Sequence, residues 1–283
     1  MAKTEERAMN GYIPSPEDDR DYTIDMVMAA DNEELPESYR TEGTVPVLNQ
    51  GVNSDCVAHA IAVAIAYGEC KLNSNKFNNY SRGFIYGNRR PTDIQTEGMV
   101  IRQALKQVNH DGDCLYTVFP YQGKYKLMKE TIAEKKEEYM KAAAPYKILN
   151  YFRLYNEREI KKAIMNNGAV VLGMTTYDSF GTYIKLPDEK AKKRGGHAMC
   201  CVGWNEQGWI IQNSWGKLWG DKGYCYLPYD YPVEEWWGIS VNKESPKPEK
   251  DSFFKRFIGV LKSFWNSIKN FLVSISLFDG SAI

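Results

Sequence analysis

Apolar positions along the chain fall into three regimes. The run Cys56-Val57-Ala58-His59-Ala60-Ile61-Ala62-Val63-Ala64-Ile65-Ala66-Tyr67 has no Gly, Pro, Lys, Arg, Asp or Glu and is apolar on nearly every face, the pattern of a buried helix. Spacing stays mainly helical to about Lys106, whereas residues 148–241 read mainly as short strands set off by Gly turns. Among the strands are Gly168-Ala169-Val170-Val171-Leu172-Gly173-Met174, a run from Ala198 to Trp204, and Gly208-Trp209-Ile210-Ile211-Gln212. Residues 124–144, rich in Lys, Glu and Ala without Gly or Pro, predict one exposed helix. Ile160, Ala163 and Ile164 predict another over residues 156–167. This split predicts an α+β fold: an N-terminal arm (1–35), a mainly helical lobe (36–146) and a mainly β lobe (147–242).

The third regime begins after Asn242. A charged, Pro-containing linker (243–251) leads to a tail (252–283) in which Phe253, Phe257, Leu261, Phe264, Trp265 and Ile268 recur at helical spacing. Lys255, Arg256, Lys262 and Lys269 lie on the other face. Lysines interrupt this stretch too often for a bilayer-spanning segment. A basic, aromatic-rich amphipathic helix over 252–278 fits contact with a membrane surface or a partner, and equally docking on the protein itself.

Composition narrows the picture. With 283 residues, 43% of them hydrophobic, the chain can fill one large domain or two lobes around a shared cleft. Lys plus Arg (36) equals Asp plus Glu (36), so no global field draws nucleic acid, and none is expected as a partner. The start, Met1-Ala2-Lys3-Thr4-Glu5-Glu6-Arg7, has no apolar core after its charges and does not read as a secretory signal. The expected location is therefore cytoplasmic, with membrane association through the tail. Six cysteines, one of them reserved for chemistry, suit a reduced compartment, and a Cys70–Cys114 bridge stays open because spacing does not settle it. Neither C-x-x-C nor a His-Cys metal spacing occurs, so no metal or cofactor is expected.

The candidate chemistry lies in three segments. Cys56 starts the buried helix, with Ser54 placed to cap it and Asp55 suited to its first turn, so the sulfur sits near the positive end of the helix dipole, where a thiolate is stabilised. Of the three histidines, His59 lies on the same helix and is expected to be packed or directed away from the sulfur, and His110 sits in what reads as a polar turn. His197 follows Gly195-Gly196 and opens a strand, which makes it the candidate base. Asn213 ends the next strand, so a hairpin turning at Asn205-Glu206-Gln207-Gly208 brings its amide oxygen towards His197. The Gln50 side-chain amide and the Cys56 N–H can form an oxyanion hole.

Gln50-Gly51-Val52-Asn53-Ser54-Asp55-Cys56, Gly195-Gly196-His197 and Asn213-Ser214-Trp215-Gly216, with Trp219-Gly220-Asp221-Lys222-Gly223-Tyr224 downstream, resemble the papain-like cysteine peptidases of bacterial type. Residues 97–106 and Phe119-Pro120-Tyr121 resemble the substrate-wall helix and following loop, and the likeness covers about residues 36–242. It implies a two-lobe fold, one lobe helical and the other antiparallel and β-barrel-like, with the active site in the cleft between them. It further implies Cys56 as nucleophile, His197 as base, Asn213 orienting His197, Gln50 in the oxyanion hole and Trp215 shielding the Asn213–His197 contact. Gly98 would meet substrate backbone, and Met99, Val100 and Ala198 would line a pocket for an apolar side chain.

The expected activity is that of a cysteine endopeptidase acting on protein or peptide through a Cys56 thioester. An exopeptidase, an amide or acyl transferase, or a weakly catalytic peptide-binding module targeted by its tail are the alternatives. Asn53, Ser54, Asp55 and Val57 stand where the family has Cys, Gly, Ser and Trp. A carboxylate at Asp55 opposes thiolate formation unless it faces solvent or a cation. Residues 11–22 resemble the short leader of bacterial relatives, with two placements open: packed on the body, or lying in the cleft.

Overall fold

The computed structural model describes residues 9–27, 34–90 and 97–242. The linker and basic tail expected at 243–283 lie outside the described residues. In chain order the elements are β1 (Tyr12–Ile13), α1 (Ile24–Val27), β2 (Tyr39–Arg40), α2 (Cys56–Leu72), α3 (Arg82–Gly87), β3 (Met99–Val100), α4 (Ile101–Asp111), α5 (Tyr125–Glu134) and α6 (Lys136–Ala143). There follow β4 (Asn150–Leu154), α7 (Glu157–Asn167), β5 (Val170–Tyr177), β6 (Lys193–Asn205), β7 (Gly208–Gln212), β8 (Tyr224–Leu227) and β9 (Val233–Ser240).

Seven strands form one antiparallel sheet in the order β4-β9-β5-β6-β7-β8, with β2 paired to the far end of β6. The sheet does not close on itself. Side chains alternate between its faces, and both faces are buried. Val171, Ala198, Cys200, Val202 and Trp237 join the core around α2, whereas Val170, Leu172, Met199, Cys201 and Trp204 join a second core with α7. That is why β5 and β6 read in sequence as continuous apolar runs. Helix α2 is buried from Cys56 to Cys70 and packs on β6, which places its first residue against the middle of the sheet.

Two expectations, a single helix over 124–144 and a turn at His110, are corrected, and the bridge left open between Cys70 and Cys114 does not form. Residues 124–144 form two helices broken at Lys135 (φ −134°, ψ 41°). Met128 and Ile132 pack on Gly87 of α3, while Ala143 closes against Gly112, and these separate anchors require a bend. His110 lies in the last turn of α4, which stops at Gly112, in the left-handed region at φ 83°. All six cysteines are free, Cys70 and Cys114 included.

Candidate active site

Cys56 is the first residue of α2 and is fully buried. The Ser54 cap does not form: Asp55 occupies the capping position without a side-chain capping bond, and the Ser54 hydroxyl turns to Glu97, 3.5 Å away. Asp55 faces neither solvent nor the helix start. It is fully buried, accepts a hydrogen bond from Tyr121 Oη at 2.5 Å and lies 3.4 Å from His59 Nδ1. His59 is indeed packed away from the sulfur, with Nδ1 3.1 Å from the Asp55 carbonyl and its ring edge-on to Tyr121.

The β6–β7 hairpin pairs Cys200 with Gln212 across a turn at Glu206-Gln207. This register puts Asn213 just beyond β7, where its Oδ1 lies 2.8 Å from His197 Nε2 and also accepts the Ser214 N–H at 2.7 Å. A hydrogen on Nε2 satisfies this contact and leaves Nδ1 as the basic nitrogen. Trp215 stacks on the imidazole, centroids 4.9 Å apart, and Phe180 closes edge-on over both rings. Gln50 is anchored through both ends of its amide: Nε2 donates to Asn53 O at 2.7 Å, and Oε1 accepts from Ser214 Oγ at 2.5 Å. Gln50 Nε2 keeps a second hydrogen for another acceptor.

Cys56 Sγ meets β6 through the Ala198 N–H, at 3.3 Å, and His197 Nδ1 has no hydrogen-bond partner among the described residues. The thiolate expected at the helix start is absent in this conformation. Burial pushes the Cys56 thiol up to about 12, with the Asp55 charge adding to the shift and the Ala198 N–H partly offsetting it. Burial also lowers His197 to about 4, the Asn213 bond opposing the shift and His59 adding to it. Near neutral pH both groups are uncharged.

What covers the sulfur is the N-terminal arm, which lies in the cleft, while Trp215 and Phe180 cover the imidazole. β1 adds to β3 as a parallel strand, Tyr12 beside Met99 and Ile13 beside Val100, and Met99 N–H donates to Gly11 O at 2.9 Å. Gly11 stands directly over the nucleophile: a Cβ there would lie 2.6 Å from Cys56 Sγ and 2.8 Å from Ser54 O. Across the cleft the Tyr12 carbonyl presses so closely on Gly196 that a side chain at 196 has no room. Further along, Ser15 N donates to Glu235 Oε1 at 3.2 Å, and Asp21 pairs with Arg102.

Gly98, Met99 and Val100 thus line the arm on one side, with Gly195 and Gly196 on the other, while Ala198 meets Cys56 Sγ through its N–H. Phe180, Tyr121 and Gly11 are the site residues that sequence reasoning did not assign. Phe180 lies in the turn after β5 and carries no local signal. Tyr121 was visible only as part of a loop motif, and Gly11 only as the first residue of a leader. Among the described residues no cluster of His, Cys, Asp and Glu is arranged to hold a metal ion.

Comparison with known proteins agrees with this fold. Residues 36–240 match the papain family cysteine protease profile. Xylellain, a cysteine protease from Xylella fastidiosa, superposes with a TM-score of 0.72 at 28% identity, over 86% of this chain and 99% of that one. An uncharacterised peptidase C1-like protein of Acanthamoeba polyphaga mimivirus is 30% identical over 204 residues, 66% of either chain. Mouse cathepsin K is 25% identical over 234 residues, 74% of this chain and 64% of its own. The chain thus spans about two thirds of these two curated relatives. On the extent of the profile match and the shared α+β architecture, the chain belongs to the papain family of cysteine peptidases.

Proposed function

We propose that the protein is a cysteine endopeptidase held latent by its own N-terminal arm. One observation carries the reading: a continuous extended segment crosses the nucleophile, with residues on both sides of Gly11 seated in the cleft. A groove that holds the interior of a chain, and not its end, suits internal cleavage better than exopeptidase action.

With the arm displaced, water reaches Cys56 and His197 and the cost of charging them falls, so the proton can pass from sulfur to Nδ1. The thiolate attacks a peptide carbonyl, and its electron pair forms the C–S bond. The Cys56 N–H and the second Gln50 Nε2 hydrogen receive the oxyanion. His197 then gives its proton to the departing amine, leaving an acyl thioester that water hydrolyses. Asn213 Oδ1 fixes the imidazole plane throughout. The arm escapes this fate because its Gly11 carbonyl is bonded to the Met99 N–H and not held by the oxyanion pair.

The test is digestion of long peptides blocked at both ends, by wild type and Cys56→Ala in parallel, with and without Gly11→Ala to loosen the arm. Internal cuts that vanish with Cys56→Ala are expected. Absence of cleavage of the blocked peptides by the Gly11→Ala protein, with or without trimming of unblocked controls, would overturn the assignment.

A further inference from the structure

Behind the Asn213–His197 pair lies a cavity of about 10 Å³ open to a water-sized sphere, which is room for one water molecule. Its walls include apolar Ala60 and Val63, the polar side chains of Gln212 and Ser214, which are already hydrogen-bonded, and those of His59 of α2 and Asn213 after β7. His59 and Asn213 are buried, and each has one polar atom without a hydrogen-bond partner among the described residues: His59 Nε2 and Asn213 Nδ2. Leaving a buried donor or acceptor unsatisfied is costly, and here two such atoms line one cavity of the right size.

We propose that a single buried water joins His59 Nε2 to Asn213 Nδ2, making His59 a positioning residue for the peptidase site. The hydrogen-bond polarity is fixed from the far end. His59 Nδ1 faces two acceptors, the Asp55 carbonyl at 3.1 Å and the Asp55 carboxylate at 3.4 Å, so it carries the hydrogen. Nε2 then hydrogen-bonds the water, whose oxygen accepts from Asn213 Nδ2. Asp55 is itself held by Tyr121 at 2.5 Å. The chain of contacts runs Tyr121, Asp55, His59, water, Asn213, His197.

Its effect is to hold the end of the Asn213 amide that no other group among the described residues holds. Oδ1 already accepts from His197 Nε2 and Ser214 N, and the water supplies the partner for Nδ2, which fixes which way round the amide sits. Helix α2 therefore presents two working residues one turn apart: Cys56 against Ala198, and His59 against the back of the pair that orients the imidazole. This also gives the buried Asp55 a role where a carboxylate beside a thiol is otherwise unfavourable.

The proposal rests on reading Asn213 as the residue that orients His197, and its test separates the two. An atomic-resolution crystal structure of the wild-type full chain should show one ordered water within hydrogen-bond distance of both His59 Nε2 and Asn213 Nδ2. An empty cavity overturns the proposal whether or not the protein cleaves peptides. In kinetics with the arm loosened by Gly11→Ala, His59→Phe fills the site without a hydrogen-bonding atom and should lower kcat about tenfold with KM little changed, while His59→Gln restores most of the loss. Unchanged kcat in His59→Phe, a loss carried by KM, or His59→Gln no better than His59→Phe would each overturn it. If His59→Phe fails to fold, the wild-type density decides.

Discussion

Gly11 sits so tightly over Cys56 that a Cβ at position 11 would be 2.6 Å from the sulfur. The arm fits the cleft because this residue has no side chain. Gly11→Ala should therefore lift the arm from the nucleophile without touching the cleft. Alkylation of Cys56 by iodoacetamide at mildly acidic pH, followed by peptide mass spectrometry, should accelerate at least about tenfold over wild type, as a rehydrated sulfur regains thiolate character. Equal rates in the two proteins would mean that the arm does not control the thiol.

Burial of His197 links the same closure to acid stability. Its folded value of about 4 is depressed from the ordinary 6.5, so between these values the unfolded chain binds the proton that the folded chain refuses. Stability from this group is complete above pH 6.5 and is lost as pH falls towards 4, amounting to about 3 kcal/mol. Thermal melts across that window should show a steeper fall in Tm with acid for wild type than for His197→Gln. Parallel curves would refute the linkage.

Gln50 is clamped between Asn53 O and Ser214 Oγ, so its free amide hydrogen has a fixed direction. Truncation by Gln50→Ala in the Gly11→Ala background should cost about 100- to 1,000-fold in kcat, the usual effect of losing one oxyanion donor, with little change in KM. A loss appearing mainly in KM would place Gln50 in substrate binding instead.

Trp215 covers the imidazole, and its stacking at 4.9 Å keeps water from the bond between His197 and Asn213. Trp215→Ala should let the His197 pKa climb from about 4 towards its ordinary 6.5, read by NMR titration of the imidazole. An unmoved titration would assign the desolvation to the arm and Phe180 alone.

Much of this site is legible in the sequence because its parts lie within single elements. The uncharged run after Cys56 can only be a buried helix, and the strands on either side of Glu206-Gln207 pair as a hairpin, which carries Asn213 to His197. The parts that escape the sequence are set by contacts between distant elements. Nothing in residues 124–144 marks the break at Lys135, which follows from what Met128 and Ala143 pack on. Nor does Asp55 announce that it turns inward to Tyr121, a residue of another segment, and not to solvent.

By itself the sequence determined local placements, a sulfur at a helix start and an imidazole and carboxamide on one hairpin, because periodicity and turn chemistry fix local geometry. Tertiary structure alone decided the state of those groups. Whether Cys56 and His197 carry charge depends on what excludes water from them, and the covering chain, Gly11 and Tyr12, comes from a leader-like stretch for which the sequence left both the body and the cleft open.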